Sequence, residues 1–421
     1  MDMTRRATRR ATRLSTALGA LLLLAACTGG EDEAAAPPPK HPVFDGELRS
    51  QVSLALRRTQ QAGNASFTHT LTFESKRGRA VQTISGRVDF AGGTGEATIR
   101  WRVPESYPSD VKDLLLGRAP GLGPADSASH AFVDSRQITY RASSSRYWLR
   151  YGKGDYDPAL GDGALIRLWG TESPVGGTLM EGLSGTRAVS VSGGNAGRTY
   201  RAEMPPVVSS MLPYSLAGEL NDEAGAAFNP VKPPKPLPTT VTVDGRGMIT
   251  HARADLSHLL GKEGSVLDDV TALRMELTLS GIGTSRPVGR AEGTILPASD
   301  TVRSIWKVKP GRCVDFSTGQ HNATLVAEIP CSRSHDGRLL AQVPYGDGPY
   351  PGATATKNQA RDACRGAYRR ASGEWTGEAA EKGTYWYMWP DREDWRDGGR
   401  VVCYVVTPKG AAPDPATAGA L

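Results

Sequence analysis

Short stretches in which apolar and polar residues alternate make up much of this 421-residue chain. The pattern is clearest at Phe67, His69, Leu71 and Phe73, which are separated by threonines. Because successive side chains of a strand point to opposite sides, these four residues lie on one face. Glycine-rich connections between the stretches suit tight antiparallel turns. The alternation predicts strands over 67–73, 81–90, 94–103, 186–192, 197–203, 239–244, 248–254 and 273–279. It also predicts two or three more strands over 131–140 and 146–151.

Other segments have a helical period instead. Leu48, Val52 and Leu56 recur every four residues, and Gly63 follows as a stop signal. This spacing predicts a short, one-faced helix over 45–62, which must dock on another element. The remaining predicted elements are short helices within 158–183, helices over 207–220 and 358–370, and a strand over 400–406.

The first residues of the chain have the layout of an export signal. A cluster of arginines precedes an apolar run from Leu14 to Ala26, which ends at Cys27. The run is too short to span a bilayer, which needs about 20 apolar residues. A cysteine at this point resembles the lipobox of bacterial lipoproteins, and the resemblance implies that residues 1–26 are removed and Cys27 receives a diacylglycerol. The alternative is an ordinary cleaved signal peptide with an incidental cysteine.

Residues 27–43 are predicted to form a flexible tether. Their sequence is acidic, then alanine-rich, then proline-rich, and it offers almost nothing to bury. Such a segment would hold the folded part away from the membrane to which Cys27 is attached.

The charge of the exported part excludes one class of partner. The whole chain carries a net charge of +6, but residues 1–26 contain five arginines and one aspartate, so only +2 remains without them. No basic stripe with interleaved aromatic residues is present, and a nucleic-acid partner is therefore not expected. The length predicts about two domains plus tails.

Four cysteines remain once Cys27 is set aside, and all lie in the last quarter of the chain. They are Cys313, Cys331, Cys364 and Cys403. An even number confined to one region of an exported protein predicts two disulfide bonds, with three pairings open. A structural zinc site is the alternative, but it would normally show a C-x-x-C pair, which this sequence lacks.

The order of a helix followed by a strand meander, behind a lipobox and a tether, resembles the LppX/LprG group of actinobacterial lipoproteins. The residues that carry this resemblance are the helix over 45–62, Asn64-Ala65-Ser66-Phe67-Thr68, the mid-chain helices and the hairpin Val241-Thr242-Val243-Asp244-Gly245-Arg246-Gly247. The resemblance implies a curved antiparallel half-barrel sheet with helices on its concave side, over residues 44–298. It also implies an apolar cavity for lipid tails.

Ten apolar residues are candidates for lining that cavity, and filling a solid core is the alternative role for all of them. They are Phe67, Leu71, Phe73, Trp101, Leu165, Leu168, Trp169, Leu179, Met180 and Leu183.

The last quarter resembles the septum-formation domain of exported actinobacterial proteins, over residues 305–407. The matching residues are Gly311-Arg312-Cys313-Val314-Asp315-Phe316, Val326-Ala327-Glu328-Ile329-Pro330-Cys331, His335-Asp336, Ala363-Cys364 and Gly398-Gly399-Arg400-Val401-Val402-Cys403. The scaffold implied is a small α+β domain in which Cys313 pairs with Cys331 and Cys364 with Cys403. Ser334 and Gly337-Arg338 depart from that family's pattern, which puts a shared ligand in doubt. A disordered tail is predicted over 408–421.

No catalytic motif accompanies these features. The sequence lacks a G-x-S-x-G elbow, a P-loop and an H-E-x-x-H element, so neither an enzyme, a metal site nor a cofactor is predicted. His335 is expected to be a turn residue bonded to backbone. The run Tyr385-Trp386-Tyr387-Met388-Trp389 is a platform for a sugar ring or lipid headgroup, or else core.

Together these features predict a non-enzymatic, extracytoplasmic lipoprotein, anchored by lipid to the outer face of the cell membrane. Its first domain is expected to bind a lipid or lipoglycan, and its partners are expected to be envelope or division proteins. The alternative is an interaction or sensing protein of the cell wall or septum without lipid cargo.

Overall fold

The computed structural model describes residues 40–116, 128–143, 145–153, 165–206, 211–212, 216, 219–220, 235–319, 324–333, 335–344, 348–371, 385–390, 395 and 399–406. The predictions for the export signal with Cys27, for the tether up to residue 39 and for the tail over 408–421 lie outside these residues. The helix predicted over 207–220 falls largely outside them as well.

A twelve-stranded sheet is the larger part of the described structure. Its strands are β1 (Asn64–Ser75), β2 (Gly78–Asp89), β3 (Thr94–Arg102), β4 (Ala128–Val133), β5 (Gln137–Ala142), β6 (Trp148–Gly152), β7 (Arg187–Gly194), β8 (Gly197–Met204), β9 (Leu237–Asp244), β10 (Ile249–Asp255), β11 (Val270–Ser280) and β12 (Ile295–Pro297). They are ordered β12-β6-β5-β4-β3-β2-β1-β11-β10-β9-β8-β7. All neighbours are antiparallel except β12 and β6, which are parallel. The predicted α+β class with a large antiparallel sheet is confirmed.

The alternation in β1 defines the inner face of this sheet, the face on which Phe67, His69, Leu71 and Phe73 lie. All four residues are buried. The strand pairs along its whole length with β2, its neighbour in sequence. From Ser66 to Ser75 its other edge pairs with β11, which lies about 200 residues further along the chain. The core cluster of the large sheet therefore lies against the inner face.

A turn divides the strand predicted over 131–140. The Asp134 carboxylate accepts hydrogen bonds from the backbone N–H groups of Arg136 and Gln137, at 2.7 and 2.9 Å. This Asx-type turn reverses the chain between β4 and β5.

Helices occupy only a small part of the described residues of this region. Those described are α1 (Gln51–Gln61), α2 (Ser109–Leu116) and α3 (Met180–Leu183), with 3-10 turns at Pro42–Asp45, Leu48–Ser50, Ile166–Leu168 and Ser257–Leu259. Helix α1 ends before Gly63, whose φ of 92° favours glycine. Val43 and Phe44 are buried against the core, so folded structure begins before the end assigned to the tether.

A second sheet of six strands follows. Its strands are β13 (Val302–Ser304), β14 (Cys313–Asp315), β15 (Leu325–Ile329), β16 (Gly337–Pro344), β17 (Trp386–Met388) and β18 (Arg400–Val406), in the order β13-β15-β14-β16-β18-β17. Helices α4 (Ala298–Thr301) and α5 (Ala353–Arg370) accompany it, with a 3-10 turn at Ile305–Lys307. Helix α5 packs on the sheet through Ala360, Cys364 and Ala367.

Two disulfide bonds cross-link the second sheet, and their presence was predicted. One joins Cys313 in β14 to Cys331 just after β15, with the Cα atoms 5.2 Å apart. The other joins Cys364 in α5 to Cys403 in β18, with the Cα atoms 5.3 Å apart. This is the pairing that the septum-formation resemblance implied.

The two sheets share buried contacts. Tyr147, just before β6, donates a hydrogen bond from its hydroxyl to the Asp315 carboxylate at 2.9 Å, and the Tyr151 hydroxyl donates to the Thr318 carbonyl at 2.6 Å. Val302 and three apolar residues of β15 belong to the core cluster of the large sheet. The second sheet therefore covers the inner face near β6.

Candidate ligand site on the inner face

The predicted cavity-lining residues lie on four elements that meet over the inner face. Phe67, Leu71 and Phe73 are on β1 and Trp101 is on β3, whereas the others come from the segment around the 3-10 turn at 166–168 and from α3. Nine of the ten are buried in one continuous cluster, and Trp169 is partly buried beside it. The structure thus brings them together in one apolar region.

Two polar side chains interrupt the apolar rows of the inner face. Gln82 on β2 lies directly between Leu71 on β1 and Trp101 on β3. His69 lies in the next row, opposite Ile84. Both polar residues are only 1% exposed.

Gln82 is held by two donors. With its amide turned to satisfy both, its side-chain oxygen accepts from Trp101 Nε1 at 3.2 Å and from Arg167 Nη2 at 3.0 Å. The amide orientation follows from this hydrogen-bond network. Arg167 comes from the 3-10 turn at 166–168, so this bond links the sheet to the segment that covers it.

His69 is different, because neither of its ring nitrogens has a hydrogen-bond partner in the part of the chain that the structure describes. Burial lowers the pKa of His69 to about 3, and the nearby Arg167 charge acts in the same direction. Burial also lowers the pKa of Arg167 to about 10. At neutral pH the site therefore presents a neutral imidazole, with one donor and one acceptor, close to a guanidinium cation.

The segment that carries Arg167 is fixed by backbone contacts. A Cβ on Gly176 would clash with the Arg167 carbonyl oxygen, so only glycine fits at this close approach. The Gly176 N–H donates to the Leu168 carbonyl at 3.0 Å. Glu181 accepts from the Thr171 N–H and hydroxyl at 2.7 and 2.9 Å. Burial raises the pKa of this carboxyl, and the Thr171 hydrogen bonds oppose the rise.

An open groove of about 670 Å³ lies between α1, the turns after β2 and β4, and residues 169–174. Of the ten predicted residues, Trp169 alone lines this groove. Its indole N–H donates to the Asp134 carbonyl at 3.0 Å. Arg57, Gln60 and Lys153 contribute polar groups to the groove, whereas Phe90, Ala91 and Pro174 contribute apolar surface. The groove therefore offers both polar and apolar contacts.

Within the described residues, no group of three or more His, Cys, Asp or Glu side chains is placed to hold a metal ion. No helix in the same residues is both long and apolar enough to cross a membrane. His335, outside this site, contacts the Arg333 carbonyl through Nδ1 at 2.8 Å, and burial lowers its pKa.

Sequence reasoning did not single out His69, Gln82 or Arg167 as site residues. The alternation already placed His69 on the inner face, and the same period places Gln82 there. A polar residue in register with buried apolar ones was therefore the available signal. Arg167 gave no such signal, because its neighbours Leu165, Leu168 and Trp169 suggested only an apolar segment.

Comparison of the sequence with models of protein families finds no match, and no curated protein matches it either.

Several solved structures are similar to this chain at low identity. The Mycobacterium tuberculosis lipoprotein LppX is 12% identical, with a TM-score of 0.27, over 56% of this chain and 98% of its own. MucB, in the Pseudomonas aeruginosa MucA/MucB complex, is 13% identical with a TM-score of 0.22, over 86% of this chain and 95% of its own. A DUF1329 family protein from Desulfovibrio piger is 6% identical with a TM-score of 0.22, over 56% of this chain and 92% of its own. Because these scores are low, the function proposed below rests on the residues of the site.

Proposed function

We propose that the inner face of the large sheet binds an amphiphilic lipid, with its hydrocarbon part among the apolar residues and a polar group at His69. The observation that carries this proposal is the pair of unsatisfied His69 nitrogens among the described residues. A buried polar group without a hydrogen bond costs about 1–3 kcal/mol, so a bound molecule with a polar group would recover that free energy.

The neighbours of His69 favour a ligand that is mainly apolar. Phe67, Leu71 and Phe73 share its strand face, and Leu277 and Ile84 lie opposite it in the flanking strands. Apolar contact with such residues contributes about 25 cal/mol per Å² of buried area. An acyl chain offers that area, whereas a small polar metabolite does not.

A binding role agrees better with this site than catalysis does. A histidine that acts as a general base needs a hydrogen-bonded nucleophile or substrate proton. His69 has no serine, threonine or cysteine partner among the described residues, and its low pKa keeps it from holding a proton near neutral pH. The function that we propose is therefore binding without catalysis.

The proposed setting is the cell envelope. The Cys27 motif resembles a lipobox, so we place the chain outside the cytoplasm, anchored by a diacylglycerol to the outer face of the membrane. Two disulfide bonds fit an oxidising compartment. The resemblances to actinobacterial lipoproteins and to the septum-formation domain add envelope or division proteins as proposed partners.

One observation favours the second candidate, an interaction or sensing protein of the wall or septum without lipid cargo. The candidate lining residues belong to a single continuous core cluster, which is also how a filled core is built. The same experiment separates the two candidates.

The test uses the full chain carrying Cys27→Ser, which removes the covalent lipid, expressed in a bacterial host and purified without detergent. Organic extracts are analysed by mass spectrometry for lipid per mole of protein. We expect close to stoichiometric lipid, reduced about tenfold by a Leu71→Trp substitution that fills the inner face. His251→Gln, at a partly exposed histidine on β10, is the matched control and leaves the lipid content unchanged.

Absence of lipid in the Cys27→Ser protein, or equal lipid in the Leu71→Trp variant, would overturn the lipid proposal and favour the second candidate. Near-ultraviolet circular dichroism of each variant shows whether the fold is retained.

A further inference from the structure

A row of aromatic rings lies at one edge of the second sheet. Tyr385 and Tyr387 have ring centroids 6.4 Å apart, and those of Tyr387 and Trp389 are 5.8 Å apart. Tyr368 of α5 extends the row, with its ring 5.5 Å from that of Tyr385. We call these four residues the aromatic row. Three of them lie on or beside β17, which is the edge strand of the sheet.

The aromatic row covers the small core beneath α5 but is not enclosed by it. The fully buried members of that core are Ala360, Cys364 and Cys403. All four rings of the row are only partly buried. Each ring therefore keeps part of its surface available for contact.

Contrary to the expectation from the sequence, the fold places a basic stripe beside the aromatic row. Lys357, Arg361 and Arg365 recur every four residues along α5 and are exposed, and Tyr368 follows on the same helix face. The Lys357 ammonium lies 5.5 Å from the centre of the Trp389 ring, and the Tyr385 hydroxyl donates to the Arg361 carbonyl at 3.3 Å. The stripe and the row therefore form one continuous surface.

The charge of this surface is one-sided. Helix α5 carries five basic side chains and one acidic one, Asp362, which contacts both Arg361 and Arg365. Guanidinium groups recognise carboxylates and phosphates through paired N–H donors. The surface is thus complementary to a ligand that carries repeated negative charges.

We propose that this surface binds an anionic glycan, whose sugar rings stack on the aromatic row while its carboxylate or phosphate groups contact Lys357, Arg361 and Arg365. Partly exposed aromatic faces bind flat or ring-shaped groups by stacking, largely without regard to the order of those groups along a polymer. A linear row matches a linear polymer. This proposal uses none of the residues of the inner face and stands independently of the lipid proposal.

A membrane surface fits this region less well. Peripheral membrane binding by aromatic and basic residues is normally supported by exposed aliphatic side chains that enter the interface. Among the described residues, the large hydrophobic side chains with high exposure are Val189, Val191 and Ile295, and all three belong to the large sheet. Among the described residues, the surface formed by the aromatic row and the basic stripe offers rings and charged side chains.

The test measures binding of the full chain with Cys27→Ser to three soluble polymers by isothermal titration calorimetry. The polymers are polygalacturonate, which carries carboxylates, poly(glycerol phosphate), which carries phosphates, and neutral dextran. We expect one or both anionic polymers to bind and dextran to bind at least about tenfold more weakly. Binding to either anionic polymer supports the proposal, and the stronger one identifies the anionic group.

Two variants divide the surface into its parts. Trp389→Ala removes one ring, and the double variant Arg361→Gln, Arg365→Gln removes two charges. Each is expected to weaken binding about tenfold. The matched control is the double variant Arg201→Gln, Arg253→Gln, which removes two exposed charges from the large sheet and should alter affinity less than about twofold.

Several results would overturn the proposal. These are no binding to either anionic polymer, equal binding to dextran, unchanged affinity in the α5 double variant, or binding only to vesicles of anionic phospholipid. The α5 substitutions lie at exposed positions, so they remain informative even if Trp389→Ala fails to fold.

Discussion

The two sheets are stabilised in different ways. The large sheet buries one face of twelve strands against helices and turns, and its core cluster contains large side chains such as Phe73, Leu71 and Tyr200. The second sheet has six strands and two small core clusters, one on each side. Both of the described disulfide bonds belong to it. A small sheet has less apolar area to bury, and cross-links compensate for that deficit.

The buried polar groups of the two sheets also differ. In the second sheet, Asp336 accepts from the Phe316 N–H at 2.8 Å and Asp315 accepts from the Ser317 N–H at 2.8 Å, so these carboxylates shape the backbone. In the large sheet, His69 shapes no turn and contacts no described donor or acceptor. These two carboxylates therefore have a structural role, whereas His69 is the buried polar group that we propose is available to a ligand.

The largest effect is expected from the cross-links. Replacing Cys364 and Cys403 by alanine should lower the free energy of unfolding of the second sheet by about 4 kcal/mol, because the unfolded chain loses a long closed loop. Replacing Cys313 and Cys331, which close a shorter loop, should lower it by about 3 kcal/mol. Hydrogen-exchange mass spectrometry should show faster exchange over 400–406 and little change over 66–73. Equal loss of protection in both segments would mean that the sheets unfold as one unit.

A smaller effect is expected from pH, and it should be confined to the large sheet. His69 has a folded-state pKa of about 3, below the ordinary value of 6.5, so the unfolded chain binds a proton that the folded chain excludes. Its contribution to stability is complete above pH 6.5 and is lost as the pH falls toward 3. Between pH 7 and pH 4.5 the loss should be about 3 kcal/mol.

Urea unfolding of wild type and of His69→Leu, measured across this pH range, checks that prediction. In His69→Leu, the free energy of unfolding should depend much less on pH than in wild type. His251→Gln, at a partly exposed histidine beside Glu276, should keep the pH dependence of wild type. If the free energy of unfolding of His69→Leu depended on pH as strongly as that of wild type, other groups would be responsible for the loss of stability in acid.

The smallest effect concerns the contact between the sheets. Burial and the neighbouring Asp315 carboxylate raise the pKa of Tyr147, so its hydroxyl remains a donor throughout the usual pH range. Tyr147→Phe removes this hydrogen bond and should cost about 1–2 kcal/mol. It should also separate the unfolding transitions of the two sheets in scanning calorimetry.

Tyr107→Phe provides the matched control for Tyr147→Phe. The Tyr107 hydroxyl is buried and contacts the carbonyls of Phe73 and Gly78, both within the large sheet. This variant should lower stability without separating the transitions. If both variants behave alike, the Tyr147–Asp315 bond does not couple the sheets.

Much of the fold could be predicted from the sequence, because local patterns encode it. The alternation at Phe67 to Phe73 identifies β1 and its buried face, and the spacing of Leu48, Val52 and Leu56 identifies the helical region that contains α1. The contact between Tyr147 and Asp315 could not be predicted in this way. It joins residues 168 positions apart, and the spacing of apolar residues within one segment carries no information about such distant partners.

The candidate ligand site was predictable only in part. The apolar residues of the site follow from periodicity. His69 becomes a candidate because no described donor or acceptor contacts it, and only the packed structure shows this. Lys357 likewise appears in the sequence as an ordinary solvent-exposed helix residue, and only the fold places it against Trp389.

The position of β1 has a consequence for biogenesis. A chain that is exported from its amino end delivers β1 and β2 early, so their hairpin can form at once, whereas the partner on the other edge of β1 arrives about 200 residues later. During that interval, the twelve residues of β1 expose a row of unpaired backbone groups and an apolar face. If the chain is exported as proposed, the interval between the two pairings is thus when it is most prone to aggregate and most in need of a chaperone.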